Sequence, residues 1–295
     1  MKQWSKIGGT GQGILLMIVT VFFFSVMDAM AKEVAHRTDT VMAIWARYAG
    51  QTAVVAFLVA PRIKTVLKTG YPGLQLLRSV FLLIATSFFF FGFVAIGLAN
   101  AAAIMSLNPI LITLGAAFFL GERFGPRRAF GVVAALIGAL IIIRPGSEVF
   151  SSAAILPVFA AIAYSSYALT TRFVGRDEDP WTSLLYTAAF GAAVLSLIVP
   201  FFWVPPDVTS IVLMAVLGGV GALAHFCLIR ALMVAEASVV APFSYAGLLF
   251  ATFWGIVVFG EYPDVYTYIG AVVIVVAGIY VWHREVQMSR ISKPN

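Results

Sequence analysis

Three ionisable side chains, Asp28, Arg47 and His225, fall inside long apolar runs of this 295-residue chain. In hydrocarbon such groups cost about 2.5–3.5 kcal/mol each on insertion scales, so each needs a partner or a task. Asp28 and Arg47 are of opposite charge, which suggests an ion pair facing a cavity. The alternative pairs Asp28 with Lys32, four residues further along the same helix, and leaves Arg47 to snorkel. His225 has a side chain that titrates near neutrality when unperturbed and could carry a coupling proton. Its alternative is a neutral imidazole bonded to a neighbouring helix. Ser25, Trp45, Tyr48, Asn108, Tyr164, Ser165, Tyr167, Ser244 and Tyr245 complete the candidate substrate-binding set, although Trp45 equally suits an interfacial anchor. One arginine among several aromatics fits a planar or zwitterionic solute. Glu122 and Glu261, each beside a glycine, read as structural.

These residues suit binding better than catalysis. The histidines His36, His225 and His283 do not cluster, and neither H-E-x-x-H nor G-x-S-x-G occurs. We therefore expect no metal, no cofactor and no enzymatic activity. A Walker A pattern is absent too, so ATP is not expected as the direct energy source.

The elements that must hold these groups follow from composition. Hydrophobic residues make up 61% of the chain and charged ones 11%, against about 45–50% and 25% in soluble domains. That excludes a soluble enzyme, a disordered chain and a nucleic-acid-binding module. A single cysteine, Cys227, excludes an intrachain disulfide. Runs long enough to cross about 30 Å of hydrocarbon are expected at 13–34, 41–60, 72–96, 101–120, 127–143, 153–173, 181–202, 210–234, 238–259 and 265–282. The sequence thus predicts an all-α integral membrane protein of ten transmembrane helices. Continuous runs such as Phe88 to Phe91 rule out the alternating strands of an outer-membrane barrel.

Lysine and arginine placement predicts orientation. With the N-terminus inside, fifteen of the nineteen fall in cytoplasmic segments, Arg78 among them. Lys32, Arg37 and Arg144 fall outside, and Arg47 lies within a span. Both termini are then cytoplasmic, in an inner membrane. Arg47 sits about seven residues into its span, or roughly 10 Å deep at 1.5 Å per residue. Asp28 lies at similar depth near the far end of the first span. The run from Arg172 to Asp179 reads as a solvated loop.

The chain also repeats itself. Gly121 and Glu122 close the fourth span, and Gly260 and Glu261 close the ninth, 139 positions later. Ala99-Asn100-Ala101 recurs as Ala235-Glu236-Ala237, and Lys32 as Arg172. Two five-span units are expected, 13–143 and 153–282. Because five is odd, the second unit enters the membrane from the opposite face, the inverted-repeat plan of many secondary transporters. Asn108-Pro109 and Pro242 interrupt repeat-related helices, where a cavity can satisfy the freed carbonyls. Small residues on the fifth span (Gly131, Ala135, Gly138, Ala139) and the tenth (Gly270, Ala277, Gly278) suggest that these two spans pack together, or form a homodimer face rather than a monomer's scaffold.

With the doubled Ala-x-Ala and Gly-Glu signatures, the stretch from Ala237 to Tyr245, and Arg78 near the start of the third span, the chain resembles the EamA branch of the drug/metabolite transporter superfamily over nearly its whole length. The resemblance implies alternating-access transport of a small metabolite such as an amino acid, S-adenosylmethionine or a riboflavin-like heterocycle. Coupling would be to protons, to solute exchange, or to the solute gradient alone. A flippase or channel-like facilitator is the alternative.

Overall fold

A polypeptide in lipid must satisfy its backbone groups internally, and helices do so within one segment. The computed structural model describes residues 9–120, 126–144, 151–174, 178–235 and 240–291. Among them there is no strand. The helices are α1 (Gly9–Arg37), α2 (Thr40–Val59), the short α3 (Ile63–Val66), α4 (Pro72–Ile96), α5 (Leu98–Met105), α6 (Asn108–Leu120), α7 (Pro126–Ile143), α8 (Leu156–Val174), α9 (Pro180–Ile198), α10 (Val208–Val234), α11 (Ala246–Phe259) and α12 (Val265–Ile291). Six of the described helical segments, those built on α1, α2, α4, α8, α9 and α10, are long and apolar enough to cross a bilayer. The fourth, fifth, ninth and tenth expected spans contain shorter apolar helices. The outer surface is greasy: Phe57, Phe118, Phe201 and Leu249 are each more than 70% exposed, as lipid-facing side chains should be.

Helix ends carry local signals. Asp39 caps α2 by accepting from Val41 N at 2.7 Å, and Asp179 caps α9 through Trp181 N at 3.0 Å. Each satisfies a donor that the first turn leaves orphaned. The expected fourth span is not continuous. α4 ends at Gly97, which adopts φ +89°, and the chain breaks again at Ser106 and Leu107 before Asn108-Pro109. In the second half a 3-10 turn, Ala241–Tyr245, precedes α11. Both proline-marked interruptions therefore exist, each in the helix pair that contributes to the centre.

Packing partners come in matched sets. α1 lies along α10 and α4 along α8; α2 meets α10 and α4 meets α9; α1 meets α11 and α8 meets α6. α7 packs on α12, and α2 on α9. Exchanging the two halves of the chain maps this list onto itself. Small residues allow the closest crossings, since lipid supplies no hydrophobic drive between helices. A Cβ on Gly138 would stand 2.8 Å from the carbonyl oxygen of Gly270, and one on Gly218 would stand 2.3 Å from the carbonyl carbon of Gly50. The small-residue stripes of α7 and α12 thus meet each other within the chain.

Three sequence expectations need correction. Arg78 is fully buried rather than a cytoplasmic loop charge, because α4 begins a turn and a half before it. Its guanidinium donates to Thr171 at 3.0 Å, Gln75 at 2.7 Å and Tyr167 at 3.4 Å, and its plane lies over the Tyr167 ring. Lys32 is equally buried, not an outer loop charge. Moving both leaves the sign of the charge asymmetry unchanged. Glu178 is not solvated either: it is buried and accepts a hydrogen bond from Thr69. Glu122, Gly121, Arg176 and Asp177 lie outside the described residues.

Candidate functional site: a central cavity between the two halves

α1, α2, α4, α8, α10 and the two interrupted helices surround a cavity of about 170 Å³. Seven of the twelve expected site residues line it: Ser25, Asp28, Arg47, Asn108, Tyr164, His225 and Ser244. They come from both halves of the chain. Ser106, Asn108 and Ser244 stand at the two helix interruptions, where the backbone lacks its regular i to i−4 ladder.

Arg47 organises the centre. Only 2% exposed, it donates from Nη1 to the Thr86 hydroxyl at 3.0 Å and from Nε to Met27 Sδ at 3.4 Å. Its Nη2 lies 3.0 Å from His225 Nε2, and the guanidinium stacks 4.5 Å from the Tyr48 ring centroid. A guanidinium has only donors, so His225 Nε2 must accept. The proton of a neutral imidazole then sits on Nδ1, which donates to Gly221 O at 3.0 Å. Both ring nitrogens are occupied, and His225 is held as one neutral tautomer. This geometry favours the cross-helix bond over the proton-carrier role for His225.

The expected Asp28–Arg47 pair does not form, and neither does Asp28–Lys32. Among the described residues Asp28 has no ion pair within 4.0 Å and no hydrogen bond. Arg47 is turned away onto Thr86 and His225, and Lys32 reaches across to Glu261. Glu261 accepts from Lys32 with one oxygen and from Leu98 N at 3.0 Å with the other. It thereby caps α5 just beyond Gly97 and ties the second half to the first. A charge on the backbone donor of a helix start is favourable, and the Phe259 ring covers the ammonium at 4.7 Å. Reading Glu261 as structural agrees with this geometry.

The other five expected residues lie outside the cavity lining. Tyr48 is buried beneath Arg47, with its hydroxyl 3.2 Å from Thr86 and its ring filling the space over Gly191. Trp45 donates to Ser196 at 3.0 Å and meets the ring of Trp203, fitting the anchor reading. Ser165 contacts Asn108 O and Oδ1, both at 3.4 Å. Tyr167 holds Arg78. The Tyr245 hydroxyl points at Gly278, where a Cβ would come within 1.7 Å. The side chains of these five turn toward neighbouring helices rather than into the lining. Sequence reasoning missed Thr86, Phe24, Phe89 and Phe90, which do line it. Nothing in the apolar run of α4 marks Thr86; its role depends on Arg47, 39 positions away.

A family model for the EamA-like transporter family matches twice, over residues 11–144 and 151–282. The chain belongs to that family. Among similar proteins is an S-adenosylmethionine uptake transporter of Rickettsia felis, 27% identical over 92% of this chain and 93% of the relative. A riboflavin transporter of Vibrio cholerae is 28% identical over 95% of both. A pseudopaline exporter of Pseudomonas aeruginosa is 29% identical over 90% of this chain and 94% of the exporter. A protein of known crystal structure superposes with a TM-score of 0.70 at 20% identity, covering 95% of this chain and 99% of its own. That likeness is one of fold alone. Family and fold together make this a multi-pass membrane protein.

Proposed function

We propose that the protein is a secondary carrier that moves a small organic metabolite across a bacterial inner membrane by alternating access. The observation that carries this reading is the central cavity: it lies between the two halves, it holds both charge signs, and no single half encloses it. The named relatives are transporters of small metabolites, which supports a solute of that size. The matched packing of the halves supports two inverted five-span units, 13–143 and 153–282. Pseudo-equivalent units make the outward-open and inward-open states near mirror images, so their free energies lie close and both can be populated. Both termini are then cytoplasmic. Lys32–Glu261 and Leu98–Glu261 join the two halves near the end of α1 remote from the N-terminus, which supports a gate there that opens when Glu261 lets go.

The test is counterflow in proteoliposomes, with solutes first found by their stabilisation of the purified protein. Saturable, trans-stimulated uptake is expected. Flux that rises linearly with concentration refutes a carrier and points to a channel.

A further inference from the structure

Asp28 lies on the wall of the cavity and, among the described residues, has no hydrogen bond and no ion pair within 4.0 Å; Arg47 acts on it only through space. Two cations stand nearby, and neither contacts it directly. Arg47, on the same cavity, directs donors from all three guanidinium nitrogens to Thr86, His225 and Met27. Lys32, one turn beyond Asp28 on α1 and in the favourable acid-to-lysine order, is committed to Glu261. A carboxylate held inside the membrane with no direct partner is costly.

We infer that Asp28 is the recognition point for a positively charged group on the solute, so that the cargo is an organic cation or a zwitterion that presents an ammonium-like centre. This rests on the carrier reading above and names its substrate class. The surroundings select an organic cation over a metal ion. Phe24, Phe89, Phe90 and Tyr164 share the wall with Asp28, and aromatic faces attract alkylated cations at short range. A hard metal cation instead needs six or more oxygen ligands, and the described residues contain no cluster of three His, Cys, Asp or Glu side chains. Arg47 retains unspent N–H groups on the opposite charge, which leaves room for a carboxylate on a zwitterionic cargo but does not require one.

The experiment uses three probes that share a phenyl ring and chain length and differ in charge: phenethylamine, 3-phenylpropionate and 3-phenylpropionamide. Each is titrated against the full-length protein in detergent, and affinity is read from the shift in melting temperature. Phenethylamine is expected to bind at least about tenfold more tightly than the acid or the amide, a gap of one decade in Kd. Asp28→Asn, nearly the same shape without the charge, erases that preference, and Asp28→Glu keeps it. The wild-type comparison alone is decisive if the Asn variant fails to fold. Equal or tighter binding of the acid or the amide overturns the assignment, as does an Asn variant that keeps the preference, or an amine that does not bind. Counterflow judges the carrier reading separately. Saturable exchange that ignores solute charge would leave the carrier standing and remove Asp28, whereas amine binding without exchange would do the reverse.

Discussion

Removing Glu261 should unbalance two groups at once, and a mutant cycle can separate them. Lys32 is 1% exposed and Glu261 33%. Deleting one partner of a buried pair costs about 3–5 kcal/mol because the other charge is stranded. Solvent reaches one side of Glu261, so about 3 kcal/mol is expected for Glu261→Gln, whose amide oxygen can still accept from Leu98 N. Glu261→Ala also loses that cap, worth about 1 kcal/mol more. Lys32→Met strands a carboxylate that is partly solvated and still bonded to Leu98 N, and should cost less, about 1–2 kcal/mol. In the Lys32→Met, Glu261→Gln double variant no stranded charge remains. The double should therefore be less destabilised than the sum of the singles by at least about 1 kcal/mol. Equilibrium unfolding in mixed micelles measures all four proteins. Additivity to within about 0.5 kcal/mol, or a Glu261→Gln protein as stable as wild type, would show that the pair does not hold the bundle end together.

Gly218→Ala should destabilise by about 1–3 kcal/mol through overpacking, since its Cβ would meet the Gly50 backbone. Gly219→Ala, which meets nothing within 4 Å, should be neutral or stabilising, and equal melting of the two variants would refute the crossing. His225→Gln should leave the pH profile of transport unchanged, because both imidazole nitrogens already serve Arg47 and Gly221; a lost acid or alkaline limb in uptake measured from pH 5 to 8 would restore the histidine as a proton carrier. Asp264 tends upward through burial, but bonds from Thr267 N and Oγ1 and the Arg144 ion pair outweigh this and hold its pKa below the ordinary 3.8. Its stabilising contribution is therefore complete above that value and lost as pH falls through the lower folded one. Melting should stay level from pH 7 to 5 and then decline, more gently in Asp264→Asn; identical acid limbs in the two proteins would refute the assignment.

Helix positions were legible because lipid leaves a chain few choices. The run at 72–96 became α4 residue for residue, bounded by Pro72 and Gly97. Proline positions foretold both interruptions, since a missing N–H breaks the ladder whatever surrounds it. Small-residue periodicity likewise foretold the meeting of α7 and α12. Partnerships were less legible. Asp28, Lys32 and Arg47 offered obvious local pairings, and none of them formed.

From the residues alone came membrane residence, helix positions and doubling, because hydrophobic length, charge density and self-similarity are properties of the chain read in order. Tertiary structure alone decided which charges are satisfied. Lys32 finds Glu261 across 229 positions and Arg47 finds His225 across 178, distances over which spacing carries no information. In a low-dielectric interior the energy of a charge depends on the few atoms nearest it, and those are chosen by how helices cross, which no single segment encodes.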